Sequence, residues 1–451
     1  MEHIDIMILG AGIAGLGAAL RARELGCEAV IFEARERSGG LLDNFTIDGF
    51  RFDHAVHLSF ATEPKVREIF DATPYYTHPA DSLCFETDRW LKHPVQNNLY
   101  PLGAQEKVDL LKSFLARPEQ MAQDDYEAWL RHQYGDAIAE RYPLRYTRKY
   151  WDTPAEQLST TWIGNRMRRA ELDEIVFGMM SGETPNTYYT KEMRYPQQGG
   201  YKAFIQSLID AATVRNSMRV TQVDTVRKVV TFNDDTEIGY GQLVSTLPLP
   251  LLIRLAVQGS QPASSSKSQA EPYSTSHSIS PSLSRPATQA VPAQVQAAAA
   301  TLEASSIDLI SVGFNKAIIK DLWFYIYDED IHASRAYSPS VKSPDNVPAG
   351  CSSLQFEAYS RGRNSKWQAQ DLLDNTRYAL QKMGIAKDDD IAIIDHRRLV
   401  WGNVIFDNGM EQQREIVRAY LREVGIKSCG RFGEWDYFWS NQSMLSGYGA
   451  L

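Results

Sequence analysis

The chain has 451 residues, 43% of them hydrophobic, with 47 Lys and Arg against 56 Asp and Glu for a net charge of −9. That length exceeds one compact core, so two or three lobes are expected, and the acidic balance argues against nucleic acid while leaving room for a local cationic pocket. The scattered Cys27, Cys84, Cys351 and Cys429 lack metal-ligand spacing and read as thiols of a reducing compartment; with no secretion signal ahead of Glu2 and Asp5 and no apolar stretch of about 18 residues, a soluble cytoplasmic protein without a membrane span is expected.

In chain order, Ile4, Ile6, Met7, Ile8 and Leu9 form an apolar run that predicts a buried strand. Gly10, Gly12 and Gly15 follow at GxGxxG spacing, then a helix, then a second strand, Ala29 to Phe32, ending in Glu33. Gly10 permits the tight turn, Gly12 lets the backbone approach a pyrophosphate, Gly15 lets helix pack on strand, and the helix N-terminus offers N–H groups to the anion. Glu33 stands where an acid accepts hydrogen bonds from a ribose. Glycines alone also cluster in ordinary turns; the ordered series of strand, glycines, helix, strand and acid predicts a dinucleotide site rather than a bare βαβ unit.

Residues 1–103 hold the first part of this domain. The segment 104–185 shows apolar residues at three- and four-residue intervals and predicts a helical insertion lobe. Residues 186–257 turn strand-rich, with two runs around Asn233-Asp234-Asp235 and a third ending at Pro248, which predicts a meander rejoining the nucleotide-binding sheet. Val223 there is expected to touch the adenine end through its backbone. Residues 258–291 are dominated by Ser, Pro and Ala and predict a disordered surface insertion before a helix from Ala293 to Ala304. Residues 292–405, with the runs IDLISVGFN, WFYIYDED and SSLQFEAYS, predict a half-buried mixed sheet facing a ligand. In 406–451, GRFGEWDYFWSNQSMLSG brings glycines, an arginine and aromatics to the start of a helix; Arg431 there can fork onto phosphate.

Several of these stretches resemble known families. Glu33 to Gly40, ExxxxxGG, resembles the extension of the flavin amine oxidase superfamily, in which Arg35, Arg37 and the pair Gly39 and Gly40 run back along the cofactor phosphates. That resemblance implies FAD, with a dissociable NAD as the alternative; without it, Arg35 and Arg37 read as a solvated cation pair. The segment 430–447 resembles the C-terminal flavin motif of the UDP-galactopyranose mutases and of related protoporphyrinogen-oxidase-like enzymes, which places Gly430, Arg431 and Ser443 at the cofactor. YTRKYWDTPAEQLSTTWIGNR, MRYPQQGGYKAF, LWFYIYDEDIHASRAYSPSVKSPDNVP and DHAVHLSF are similar to further segments of the mutases, so the likeness spans the chain apart from the serine-rich insertion. The fold implied is α/β, a Rossmann-type FAD-binding domain with a helical insertion lobe and a mixed β-sheet substrate domain.

Carried over residue by residue, Arg194, Arg335 and Arg431 fall where the family grips a substrate diphosphate. Tyr325 and Tyr437 fall where aromatic hydroxyls meet the same phosphates, Trp323 at the cleft wall, and His57 near the flavin. Guanidinium groups suit phosphate oxygens in a way lysine cannot copy, although any one such arginine reads alone as an ion-pair member, and Trp323 or Tyr325 alone as core. The chain departs from the family where Phe60 replaces a second histidine, Lys342 replaces a substrate-facing tyrosine, and Leu41 replaces the arginine after the double glycine. It also stops soon after Gly447, so a short covering helix is expected.

The resemblance implies a nucleotide sugar as small-molecule substrate, isomerised between ring forms by reduced flavin, with NAD(P)H as a source of electrons. The alternative is an oxidoreductase resembling protoporphyrinogen or amine oxidases, with hydride passing to oxidised FAD. A flavin-bound scaffold without turnover is a third reading.

Overall fold

The first apolar run forms the strand Glu2–Leu9, whose last residues are fully buried because parallel neighbours flank it on both sides. A strand covered on both faces carries a continuous rather than an alternating apolar run. The computed structural model describes residues 1–121, 125–164, 167, 171–185, 192–259 and 290–451. The expected disordered insertion lies, over 260–289, outside the described residues. These residues form two compact units.

The first unit comprises Met1–Gly40, Leu208–Leu302 and Gln412–Leu451. Its sheet runs in the order Val220–Asp224, Val229–Phe232, Glu237–Ser245, Glu2–Leu9, Ala29–Phe32, Thr213–Arg215, with Ile426–Ser428 also pairing Glu237–Ser245. The expected meander is present: the first three strands pair antiparallel, and Glu237–Ser245 then joins Glu2–Leu9 in parallel. The turn at Asn233-Asp234-Asp235 forms as predicted, with Asp234 accepting from the Thr236 N–H at 3.0 Å and Asp235 in the left-handed region. The helix Ile13–Glu24 packs against Ser440–Tyr448, a helix of nine residues. The helix expected to run from Ala293 to Ala304 ends at Thr301, because Leu302 is already extended and the backbone beyond it pairs with 403–404.

The second unit comprises Leu41–Ser207 and Glu303–Glu411. Helices Ala104–Leu115, Tyr126–Tyr134, Asp136–Arg141, Pro143–Trp151 and Leu172–Met180 occupy the predicted helical stretch. Its main sheet has the order Ile391–Leu399, Ser305–Phe314, Ser352–Arg361, Arg335–Tyr337, Trp323–Ile326, Leu83–Glu86, Arg89–Lys92. The half-buried character expected of this sheet does not hold for its two central strands. Ser305–Phe314 is buried at every position and Ser352–Arg361 at all but its last. One face packs into an apolar cluster with Ala369–Lys382, and the other is polar yet enclosed. There Gln355 donates to Ser311 Oγ at 2.8 Å, while Asp308, which shares the face of Ile310 and Val312, holds His396, Arg398 and Ser365, so buried polar groups on both faces satisfy one another. No described helix is long and apolar enough to cross a membrane.

Candidate active site

The first unit builds a dinucleotide cradle from its first forty residues. Gly10 has φ +100°, a left-handed conformation that a side chain resists, and its N–H donates to the Phe32 carbonyl at 2.8 Å. A Cβ on Gly15 would overlap the Gly10 carbonyl oxygen, so that glycine sets the closeness of helix and turn. Gly12 differs: a Cβ there would meet only the Gly40 Cα, at an ordinary 3.9 Å. The protein's own packing does not demand glycine at that position, whereas a ligand drawn against the backbone does. The helix that follows has no side-chain cap and no acid in its first turn, which leaves its leading N–H groups to an anion.

Glu33 sits at the end of the second strand, nearly buried. Its Oε2 accepts from the Ala11 N–H at 2.8 Å and its Oε1 from the Arg35 N–H at 2.9 Å. A carboxylate has about four acceptor positions, so two backbone bonds fix its aim and leave capacity for ribose hydroxyls. Gly39 donates to the Ala11 carbonyl at 2.9 Å and bridges Gly12, and Arg35 reaches the Gly40 carbonyl at 3.5 Å. The extension with two glycines therefore folds back beside the first turn. Gly12, the first helical turn and Glu33 fit the pyrophosphate and ribose of FAD.

Later segments of the same unit close on this cradle. Gly430 has φ +78°, a Cβ there would come within 2.5 Å of the Ala14 Cβ, and its N–H donates to Ser446 Oγ at 2.7 Å. Arg431 lies 4.9 Å over the Tyr437 ring, and Ser443 is buried in the first turn of Ser440–Tyr448. Val223 is buried at the fourth position of the outer antiparallel strand Val220–Asp224, opposite Val230, with two strands between it and Glu2–Leu9.

The second unit gathers Trp323, Tyr325 and Arg335. The strands Trp323–Ile326 and Arg335–Tyr337 pair directly, with Tyr325 opposite Arg335. The Arg335 guanidinium lies 5.4 Å over the Trp323 ring and 5.1 Å over Tyr150. Its Nε donates to Glu357 Oε2 at 2.5 Å and its Nη2 to the Tyr359 hydroxyl at 2.7 Å, while Nη1 has no acceptor among the described residues. Burial works against its charge, and the Glu357 carboxylate more than offsets that, holding the guanidinium protonated well beyond the usual range. The buried Trp323 indole N–H likewise has no acceptor among the described residues. Tyr146 stands edge-on to Tyr325 at 5.4 Å and stacks on Tyr150 at 5.5 Å, so the arginine's surroundings are aromatic on several sides.

Arg194 and His57 come together at the loop 53–61 of this unit. Arg194, on the strand Glu192–Pro196, is buried, and both Nη groups donate to the Ala61 carbonyl at 3.0 Å, with Glu192 at 3.4 Å from its Nε. Its fork braces the loop 53–61. His57 Nδ1 lies 3.0 Å from the Ala55 carbonyl, and its ring packs 5.2 Å from Tyr201. Lys342, expected at a substrate-facing position, is instead fully enclosed: Nζ lies 3.5 Å from Asp53 Oδ2 and 4.0 Å over the Tyr337 ring. Burial pushes its pKa down to about 8 against the pull of Asp53.

Residues 8–73 match the NAD(P)-binding Rossmann-like domain family. Over its whole length the chain is similar to a crystal structure of reduced UDP-galactopyranose mutase, with a TM-score of 0.86, 24% identity, and 99% of this chain and 94% of the other covered. The chain has the mutase fold. The same fold extends at a TM-score of 0.61 to putrescine oxidase bound to putrescine, at 14% identity, covering 99% of this chain and 98% of that one. Among curated relatives, all-trans-retinol 13,14-reductase of Danio rerio is 34% identical over 172 residues, 37% of this chain and 27% of the reductase. The chain thus spans about a quarter of that relative's length. On this mutase fold the glycine cradle and Glu33 occupy the first βαβ unit, and the aromatic and arginine group lies on the main sheet of the second unit.

Sequence reasoning missed Glu357, Tyr359 and Asp53. The signal for the first two was present in SSLQFEAYS, where Ser353, Gln355, Glu357 and Tyr359 alternate with apolar residues and so share one face of the strand. Asp53 accepts from the Tyr195 hydroxyl at 2.8 Å and the Tyr201 N–H at 3.2 Å, contacts that link residues more than 140 apart.

Proposed function

We propose that the chain is an FAD-dependent enzyme acting on a nucleotide-diphosphate sugar, in a ring-form isomerisation of the mutase type. What supports this best is the state of Arg335. One edge of its guanidinium is locked by Glu357 and Tyr359, and the other carries an amino group with no acceptor among the described residues, beside the equally unmatched Trp323 indole N–H. Two oriented donors in an aromatic, largely dehydrated setting suit a diphosphate, which is anionic and arrives with planar and sugar rings attached. An amine substrate would be repelled by the same cation.

In this reading FAD, when bound and reduced, supplies the electron-rich centre for exchange at the anomeric carbon. Gly12, the first turn of Ile13–Glu24 and Glu33 hold it. Arg335 keeps the displaced diphosphate in place for return, an effect of positioning and fixed charge. Trp323, Tyr325 and Tyr150 shield the site from water. NAD(P)H is proposed as the electron source. The test is a nucleotide-sugar panel incubated with dithionite-reduced protein and resolved by chromatography. Interconversion of ring forms without stoichiometric loss of reductant is expected; one oxidised product per flavin cycle overturns the isomerase.

A second reading is an oxidoreductase passing hydride to oxidised FAD. Arg194 favours it, because both arms of its fork are engaged on the Ala61 carbonyl and so do not present a second diphosphate grip. The local likeness to a retinol reductase is in keeping with that alternative.

A further inference from the structure

Glu357 is a carboxylate with no exposure to solvent, placed on a central strand directly across from Arg335. Such a group persists inside a protein only where donors match it, and its two oxygens are matched by different parts of the unit. Oε2 accepts from Arg335 Nε and from the Tyr359 hydroxyl, both at 2.5 Å. Oε1 accepts from the Val56 N–H at 2.8 Å. Val56 belongs to the loop 53–61, where Ala55 is in the left-handed region at φ +75° and its carbonyl meets His57 Nδ1. A single buried side chain therefore joins the anion-facing arginine to the turn that carries the histidine.

We propose that Glu357 is a positioning residue that couples the substrate grip of Arg335 to the His57 loop. The proposal rests on the reading of Arg335 as a diphosphate contact. An anion drawn to the outer edge of the guanidinium shifts the head away from Glu357 or toward it, and the carboxylate transmits that shift to the Val56 amide through its other oxygen. By reciprocity, a change in the loop alters anion affinity by the same factor. Tyr195 and Lys342 hold Asp53 at the start of the same loop and Arg194 holds Ala61 at its end, so the Val56 turn between those two fixed points is the part tied to Arg335.

The substitution Glu357→Gln separates the two ends. Glutamine has one oxygen and one amino group, so whichever end keeps an acceptor, the other meets a donor facing a donor. The experiment uses the flavin-loaded protein and reads UDP affinity by calorimetry and amide exchange of the peptide covering residues 53–60 by mass spectrometry. Glu357→Gln is expected to weaken UDP binding at least tenfold and to speed exchange at the Val56 amide by a similar factor. Arg335→Lys is expected to speed exchange in that peptide as well, although the substitution lies elsewhere in the chain, and UDP is expected to slow it in the unaltered protein. Unchanged loop exchange in Arg335→Lys overturns the coupling. If the unaltered protein ignores UDP, the nucleotide reading fails, and the coupling is then decided by the Arg335→Lys exchange result alone. Should Glu357→Gln not fold, Tyr359→Phe removes one of the three donors without emptying the site and is expected to move both readouts in the same direction, by a smaller factor; no movement in either overturns the proposal.

Discussion

Gly15 and Gly12 look alike in the sequence and differ in what forbids a side chain. At Gly15 a methyl group would collide with the Gly10 carbonyl, a backbone atom that cannot swing aside. Gly15→Ala is expected to separate helix from turn, cost about 1–3 kcal/mol of stability and remove most of the visible flavin absorbance of the purified protein. Gly12→Ala has room within the protein, so it is expected to leave unfolding by urea nearly unchanged while still lowering flavin content. Arg335→Lys keeps the charge and loses the fork, and should weaken UDP binding about tenfold or more by calorimetry. Lys342 gives a pH signature. Its folded-state pKa of about 8 lies below the ordinary 10.5, so between those values the unfolded chain binds the extra proton and stability rises with pH. Urea unfolding from pH 7.5 to 10 should show a rise in the unaltered protein that Lys342→Met lacks, on the order of 3 kcal/mol across the full window.

Among the elements, the pair of helices Ile13–Glu24 and Ser440–Tyr448 depends on small residues at the crossing. A Cβ on Gly17 would overlap the Met444 carbonyl, and one on Gly447 the Ala14 carbonyl. Gly447→Ala is expected to destabilise by about 1–3 kcal/mol, and its effect should not add to that of Gly17→Ala, since both act at one contact; urea titration of the two single variants and the double variant measures this. The elements themselves were largely legible in the sequence. The strand, glycine turn, helix and acid of the first forty residues follow from periodicity and spacing, and so does the meander around Asn233. The character of the second sheet was not legible. The strand Ser352–Arg361 alternates polar and apolar residues, which by rule signals one wet face, yet its Gln355 and Glu357 are enclosed, as are Asp308 and Ser311 on the neighbouring strand. Those polar groups find partners in one another and in Arg335, Arg398 and His396, and no local pattern announces partners that distant in sequence.

At the scale of the whole molecule, the assembly into units was the least legible level. Each unit draws on separated chain segments, and strands such as Leu83–Glu86 and Trp323–Ile326 pair across some 240 residues, which periodicity cannot foresee. The candidate site was legible in part for the same reason. Arg335, Trp323 and Tyr325 stand near one another in sequence and come together, while the contribution of Glu357 and the engagement of Arg194 on Ala61 depend on tertiary contacts. A cofactor held by the native state alone also adds to global stability, by about 2.7 kcal/mol at a hundredfold excess over its Kd. Stripping the flavin should therefore lower the melting temperature, and FAD added back should restore it in a concentration-dependent way; a melting temperature indifferent to FAD speaks against the cradle.

The first strand and helix finish their sheet and their helical contact only with residues 426–448. On the ribosome, the opening forty residues must therefore wait with an uncovered apolar surface through the synthesis of nearly all that follows, while the other unit has every segment it needs once residue 411 has emerged. Nascent chains arrested before residue 426 should accordingly be cut by protease within the leading helix and should engage chaperones there, a vulnerability that ends when the late strand and helix arrive.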